Sequence, residues 1–521
     1  MGIGEPCPRL SWISITETPG WTQSAYEVEV DGNPAGRQEG GASVFVDWPG
    51  SPLRSRERHR VRVRVWGADG SASGWSDELL LEAGLLLPED WTAQWITPVL
   101  SGPEGRPSYF RCPLTLKDEA GVSIERGRLY ATSAGINQLH LNGHVVGTSL
   151  LAPGWSAYTD RLRYETHDVT DLLSAGANVV GAVVADGWWR GYLTWEMLRD
   201  VYGDRHGLLA QLEVTYSDGS TEIFGTGTRW VASDGPIRSA DLYNGEAFDA
   251  RLVMDGWDSP GFDDSSWGKT EVFFPEVGML VSSMAPPVRR VLERSVQDVI
   301  VTPSGETILD FGQNLVGWVR FAVEGPAGAT ITLRHAEVME DGELGVRPLR
   351  NARATDEYVL RGVGVETWEP AFTFHGFRYV QVQGWPSDHV DPSKFVAVVI
   401  HSDFERTGDF SCSNDLLNRL HQNAEWGLRG NFVDVPTDCP QRDERLGWTG
   451  DLQTFAPTAS FMFDVAGFLA DWLDPDAPPD QPWRAKTDAV RVATAYFAQS
   501  ARLVSEAARV LGFGALADEY G

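Results

Sequence analysis

The stretch VPTDCPQRDERLGWTGD, residues 435–451, decides how the chain is read. Pro436 and Pro440 forbid a regular helix at its start, because each lacks an N–H and fixes its own φ. Gly447 and Gly450 loosen its end. Helical periodicity flanks it. Leu417, Leu420, Ala424 and Leu428 recur at helical spacing over 413–429, with Ser413 able to cap, and 452–473 is likewise helical. The stretch therefore reads as a loop or partial turn between two helices, holding charged groups at a helix terminus. Within it sit Asp438, Asp443, Glu444 and Asp451, interleaved with Arg442, Arg445 and Trp448.

Toward the N-terminus, before about residue 405, the period changes to two. YEVEV (26–30) alternates and ends at Asp31-Gly32, and VRVRVW (61–66) alternates and ends near Asp69-Gly70. Alternation closed by an Asp-Gly turn is a hairpin signature. AGINQLHLN (134–142) leads into Gly143, and 209–216 and 221–224 flank a turn at Asp218-Gly219. DFGQNLVGW (310–318), 330–333 and 372–383, with Phe377, Tyr379 and Val382, mark a third β region. Turn residues at short intervals favour sandwiches or jelly rolls over parallel α/β units. A last helical pattern, Ala-rich, covers 488–511. The fold class expected is multidomain: three β-sandwich or jelly-roll modules followed by helices.

At 521 residues the chain holds several domains of roughly 100–200 residues each. Its formal charge of −30, from 73 acidic against 43 basic residues, repels phosphate backbones, so nucleic acid is a poor partner. A neutral glycoside suits that charge better, although an acidic surface is also a common solubility device. The 21 Trp suit sandwich cores and also the C–H faces of sugars; most should be core, including Trp188 and Trp189. Cys7, Cys112, Cys412 and Cys439 form no C-x-x-C pair, which argues against a zinc site or a disulfide framework. A reducing compartment is the default. The start, MGIGEPCPRLSW, lacks a basic region followed by an apolar one, and no apolar run reaches the roughly 18 residues of a membrane span. A cytoplasmic protein with no membrane partner is the expectation.

Cleaving a glycoside takes a protonated carboxyl for the leaving oxygen and a second carboxylate acting on water or the anomeric carbon. Burial or neighbouring anions keep a carboxyl protonated near neutrality. Asp438 and Asp451 could do that to Glu444, with Arg442 opposing them, while Trp448 lies under an apolar sugar face. The same charges also fit a solvated salt-bridge patch. Cys439 reads as a structural thiol, since no partner His is placed by the sequence. His335 and His375 read as satisfied sandwich residues and not as metal ligands.

The string DCPQRDERLGWTGD (438–451) resembles the active-site signature of bacterial α-L-rhamnosidases, inverting glycoside hydrolases built on a six-hairpin (α/α) barrel. The resemblance extends outward. PRLSW and GWSD are similar to a fibronectin type III-like module, 1–88. SAGINQLHLNGHVVG, LAPGWSAYTDRLRYETHDVT and DGWWRG resemble the family's N-terminal jelly-roll domain, 89–285. DFGQNLVGW, RHAEV and TFHGFRYVQVQG resemble its concanavalin-like sandwich, 286–402, and 403–521 would be a partial six-hairpin catalytic domain. By that resemblance Glu444 is the proton donor, Asp438, Arg442 and Asp451 bind rhamnose hydroxyls, and Trp448 lines the pocket. It implies removal of terminal α-L-rhamnose from glycosides or polysaccharides with inversion, needing no cofactor and no metal. It leaves the oligomeric state open.

The family pattern also breaks. FMFDVAGFL (461–469) runs almost directly into DWLDPDAPPD (471–480), segments that belong to different hairpins in the family, so an internal segment is expected to be missing near 470–472. The residues from Glu405 onward are too few for six helical hairpins at about 12 residues per helix. The late Trp-Glu-Arg-Trp-type motif that holds the general base has no counterpart; Asp471, Asp474 and Glu519 are merely available carboxylates. The expectation is a chain that keeps the acid, lacks the base, and is inactive. The alternatives are a non-catalytic carbohydrate-binding assembly of Trp-rich sandwiches, and a different hydrolase or lyase on the same helical architecture.

Overall fold

The computed structural model describes residues 1–99, 105–473 and 509. In the first unit, alternation becomes the antiparallel pair Gln23–Val30 and Arg58–Gly67, in register Tyr26↔Val65, Val28↔Val63 and Val30↔Val61. Val28 and Val61 enter a core with Leu10, Trp48, Leu53 and Leu81. The intervening residues face the other way, where Glu27 opposes Arg64 and Glu29 opposes Arg62 at 2.7 and 2.6 Å. Trp66 and Trp75 lie against these guanidinium groups, so they complete a cross-strand ladder.

The second unit is a twelve-stranded sheet folded back on itself. One half carries Ser108–Leu116, Ile136–Leu141 and Gly176–Ala185; the other carries Ile124–Ala134, Arg161–Asp168 and Gly207–Tyr216. Phe110, Leu139 and Val180 from the first half share a core with Leu129, Leu208 and Leu212 from the second. A ten-stranded sheet follows, centred on Thr307–Glu324, which pairs with His375–Gln383 and Phe395–Ser402. The hairpin of Ile237–Asp241 and Gly245–Asp249 lies in sequence within 89–285, yet it joins this later sheet, parallel to Thr355–Val359. Strand hydrogen bonding, not chain order, decides the membership. A single core of Trp188, Trp189, Tyr158, Trp318, Phe374, Ile400 and Val433 runs between these two sheets and the helical segment.

Three helices are described after residue 405: Asp415–Asn431, Thr449–Met462 and Ala466–Leu473. A closed barrel is not formed among the described residues, and the helical pattern at 488–511 lies almost wholly outside them. Asn414 caps the first helix in place of Ser413, its side chain accepting from Leu416 N and Leu417 N. The anticipated apolar face of that helix is buried at Leu428 but exposed at Leu417 and Leu420. The continuous helix expected over 452–473 is broken at Phe463, which is extended.

One charge network docks this segment on the second unit. Arg163, fully buried, donates Nη2 to both oxygens of Asp434 at 2.9 and 2.8 Å and Nη1 to Asp471 at 3.1 Å. Trp155 N adds a 2.6 Å bond to Asp434, and Arg161 Nη2 reaches the Asp471 carbonyl at 2.6 Å. Asp471 is thereby locked into a structural pair and is no free base. Removing one partner of such a pair strands a buried charge. Asp434→Ala is expected to cost about 3–5 kcal/mol and Asp434→Asn less, read by denaturant unfolding. Equal stability in Asp434→Ala and the parent would show that the network does not dock the segment.

Candidate active site

Residues 432–436 form a two-residue hairpin, Phe432–Val433 paired with Val435–Pro436, with Asp434 left-handed at the turn. A bridge between Thr437 and Gly447 then closes a loop, reinforced by Asp438 N to Leu446 O at 3.1 Å and Trp448 N to Pro436 O at 3.0 Å. Gly447 does not loosen this end. A Cβ there would meet the Trp472 ring at 2.3 Å, so glycine is required for the indole to pack on the loop.

Arg445 pins the loop from inside. Its guanidinium is buried and donates to the carbonyls of Leu242, Phe374 (2.7 Å), Arg442 (3.1 Å) and Gln441 (3.3 Å), between the rings of Tyr243 and Phe374. Burial lowers its pKa to about 10, which leaves it charged at neutrality. The Tyr243 hydroxyl donates to the Glu444 carbonyl. Asp443, also buried, accepts from Asn351 N at 3.0 Å and Asn351 Nδ2 at 2.7 Å.

These anchors hold the Glu444 carboxylate, itself largely buried, where three groups converge on Oε2. Arg442 Nε lies at 2.9 Å, Arg350 Nη1 at 3.1 Å and the Cys439 Sγ at 3.5 Å. Asp438 hydrogen-bonds the same carboxylate, and its donor atoms, Cys439 Sγ and Glu444 all lie within 4.8 Å of one another. The balance of charge differs from the sequence expectation. Burial pushes Glu444 up, but the bonds from Asp438, Arg442 and Cys439 outweigh it and hold Glu444 below its ordinary value. Burial, then the Glu444 charge, push Asp438 up to about 7. Glu444 is therefore the ionised partner, with Arg442 and Arg350 in contact with it, and the proton shared by the pair rests on Asp438.

Asp451 is not among the groups that act on Glu444. It is exposed in the first turn of Thr449–Met462, where a carboxylate is favoured by the helix N-terminus. Trp448 is partly buried just before that helix. Asp438 Oδ1 and Trp448 Nε1 are buried polar atoms with no hydrogen-bond partner among the described residues.

Among the described residues, two groups of side chains have donor atoms close enough for a cation. His335, Asp356 and His375 are all buried, but His375 Nε2 lies 3.0 Å from each Asp356 oxygen and a hydrogen bond accounts for the closeness. In the Asp438, Cys439 and Glu444 group the thiol is pushed well up by burial, so the thiolate a metal needs is disfavoured. Arg350, Asn351 and Tyr243 escaped the sequence reading. The one signal was RPLRNAR (347–353), a basic run between strands of a strongly acidic chain.

Four family models match the chain in order. Residues 1–87 match the Rha78A-like, N-terminal immunoglobulin domain, where a fibronectin type III-like module was expected. Residues 122–292 match the alpha-L-rhamnosidase N-terminal domain, and 300–401 the bacterial alpha-L-rhamnosidase concanavalin-like domain. Residues 405–475, which hold the carboxylate loop, match the bacterial alpha-L-rhamnosidase 6 hairpin glycosidase domain. An α-L-rhamnosidase of Streptomyces avermitilis is 34% identical, over 91% of this chain and 63% of its own length. One from Alteromonas sp. is 36% identical, over 91% of this chain and 54% of its own. The chain thus spans less than two thirds of these relatives. The solved structure of the Streptomyces avermitilis enzyme with L-rhamnose superposes with a TM-score of 0.83. The solved α-L-rhamnosidase of Aspergillus terreus superposes with a TM-score of 0.89 at 40% identity, covering all of this chain and 71% of that one. With that likeness running through each strand-rich unit and into the loop that carries Glu444, the chain belongs to the α-L-rhamnosidase family, glycoside hydrolase family 78.

Proposed function

We propose that the site hydrolyses terminal α-L-rhamnosides with inversion, Asp438 handing its proton to Glu444 as Glu444 delivers one to the leaving oxygen, so that Asp438 ends as the carboxylate. The observation that carries this reading is the pair itself. An acid with a pKa of about 7 touches a carboxylate that two arginines hold in place. A general acid works best when its pKa lies near the working pH. Asp438 Oδ1 and Trp448 Nε1, buried without partners among the described residues, would take sugar hydroxyls, and Arg442 and the exposed Asp451 would add to that binding. The relative solved with L-rhamnose supports that sugar as the ligand. The described residues supply the donor half of the inverting pair.

A general acid matters most when the leaving group is poor. Glu444→Gln is expected to cut turnover of an alkyl α-L-rhamnoside by about 10²- to 10⁴-fold, and of p-nitrophenyl α-L-rhamnoside, whose phenolate leaves unaided, by much less. Equal losses on both substrates would remove Glu444 from the donor role.

The shared proton also sets the pH profile. Asp438 has its pKa raised by burial, so the protonated form is favoured below about pH 7 and is lost as pH rises through that value. Rate should fall along the same limb. Asp438→Asn leaves Glu444 alone with Arg442 and Arg350, so the alkaline limb is expected to move to lower pH. A limb that stays put in this variant would mean that the pair does not share the catalytic proton.

A further inference from the structure

Arg350, whose Nη1 touches Glu444, also lines a cavity of about 380 Å3 with Arg334, Val346, Leu349, Asn351 and Arg353. Three arginines lie in this wall and, among the described residues, no carboxylate does. In a chain with 73 acidic and 43 basic residues, guanidinium groups readily find carboxylates, as Arg350 does at Glu444 and Asp443. The other two do not. Arg334 Nη1 bonds the neutral amide oxygen of Gln381 at 3.2 Å and makes no ion pair among the described residues. The exposed Arg353 guanidinium has neither a hydrogen bond nor an ion pair among them. A concave wall with uncompensated guanidinium groups concentrates positive potential, and each planar fork matches a carboxylate or sulfate in bidentate fashion. The neighbouring cavity of about 480 Å3, across Arg353, does not share this character, because Asp241, Glu246 and Glu357 line it.

Resting on the rhamnoside reading above, we infer that this cavity takes an anionic group on the unit to which the rhamnose is attached. The group is the carboxylate of a uronic acid or a sulfate ester. The leaving unit begins at the oxygen that Glu444 protonates, and the cavity wall starts at Arg350, 3.1 Å from Glu444 Oε2. A neutral aglycone would leave the Arg334 and Arg353 charges without a counter-ion; an anionic one supplies it.

The test is calorimetric binding to the full chain of L-rhamnose and of three thio-linked, uncleavable disaccharides: rhamnosyl-glucuronate, a sulfated rhamnosyl-glucose and plain rhamnosyl-glucose. Each is measured at low and high salt, with the parent, Arg353→Ala and Arg334→Ala. The expected result is that at least one anionic disaccharide binds about tenfold or more tightly than the neutral one, the value of one charge-assisted contact. That advantage should shrink in high salt and in either variant, and the anion that gains more identifies the source. Arg353 is exposed, so its truncation leaves the cores intact, and the salt response needs no variant. Equal affinity for all three disaccharides, with L-rhamnose bound, would overturn the anionic site and leave the rhamnoside reading standing. A preference unmoved by salt and by both variants would overturn its placement in this cavity. Failure to bind L-rhamnose or any disaccharide would overturn the rhamnoside reading, and this inference with it.

Discussion

A buried guanidinium among carbonyl groups organises this site. Arg445 has been taken out of water, which for an isolated cation costs several kcal/mol even after relaxation. Four carbonyls and two aromatic faces offset that cost, and they come from three places: Leu242 with Tyr243, Phe374, and the loop's own Gln441 and Arg442. The loop is held because this arrangement satisfies the charge. The position of Glu444 is therefore a property of the assembled sheets and not of the loop alone.

Around that anchor, charge is distributed unevenly on purpose-built partners. Asp443 is spent on Asn351, Asp434 and Asp471 on Arg163, and Glu444 on Arg442 and Arg350. Asp438 is left to carry the proton of the pair, because burial and then the neighbouring Glu444 charge raise it. Which of two adjacent carboxyls is acidic is thus settled partly within the loop, by Arg442, and partly by Arg350, far away in sequence.

That distance explains what could be read from residues and what could not. Alternation at 26–30 and 61–66 was legible because a half-buried strand has period two whatever it packs against. The carboxylate loop was legible because Asp438, Arg442, Glu444 and Trp448 are contiguous. Arg350, Asn351 and Tyr243 were not, since spacing says nothing about which loops converge. The same blindness inverted the expected charge of Glu444: Asp451 proved exposed, and Arg350 arrived from another sheet. Helical spacing located Asp415–Asn431, yet could not foresee Leu417 and Leu420 at the surface, because periodicity reports a face and not its cover. Gly447 read as flexibility; only the Trp472 ring reveals it as clearance.

The acid loop and the arginine-bearing segment at 347–353 meet through side chains alone and belong to separate stretches of polypeptide. The segment at 347–353 carries two duties: Arg350 and Asn351 brace the carboxylate loop, while the Arg353 side chain stands exposed beside them. A change at Arg353 alters what can dock next to the loop and leaves the partners of Glu444 in place, whereas a change at Arg350 alters both.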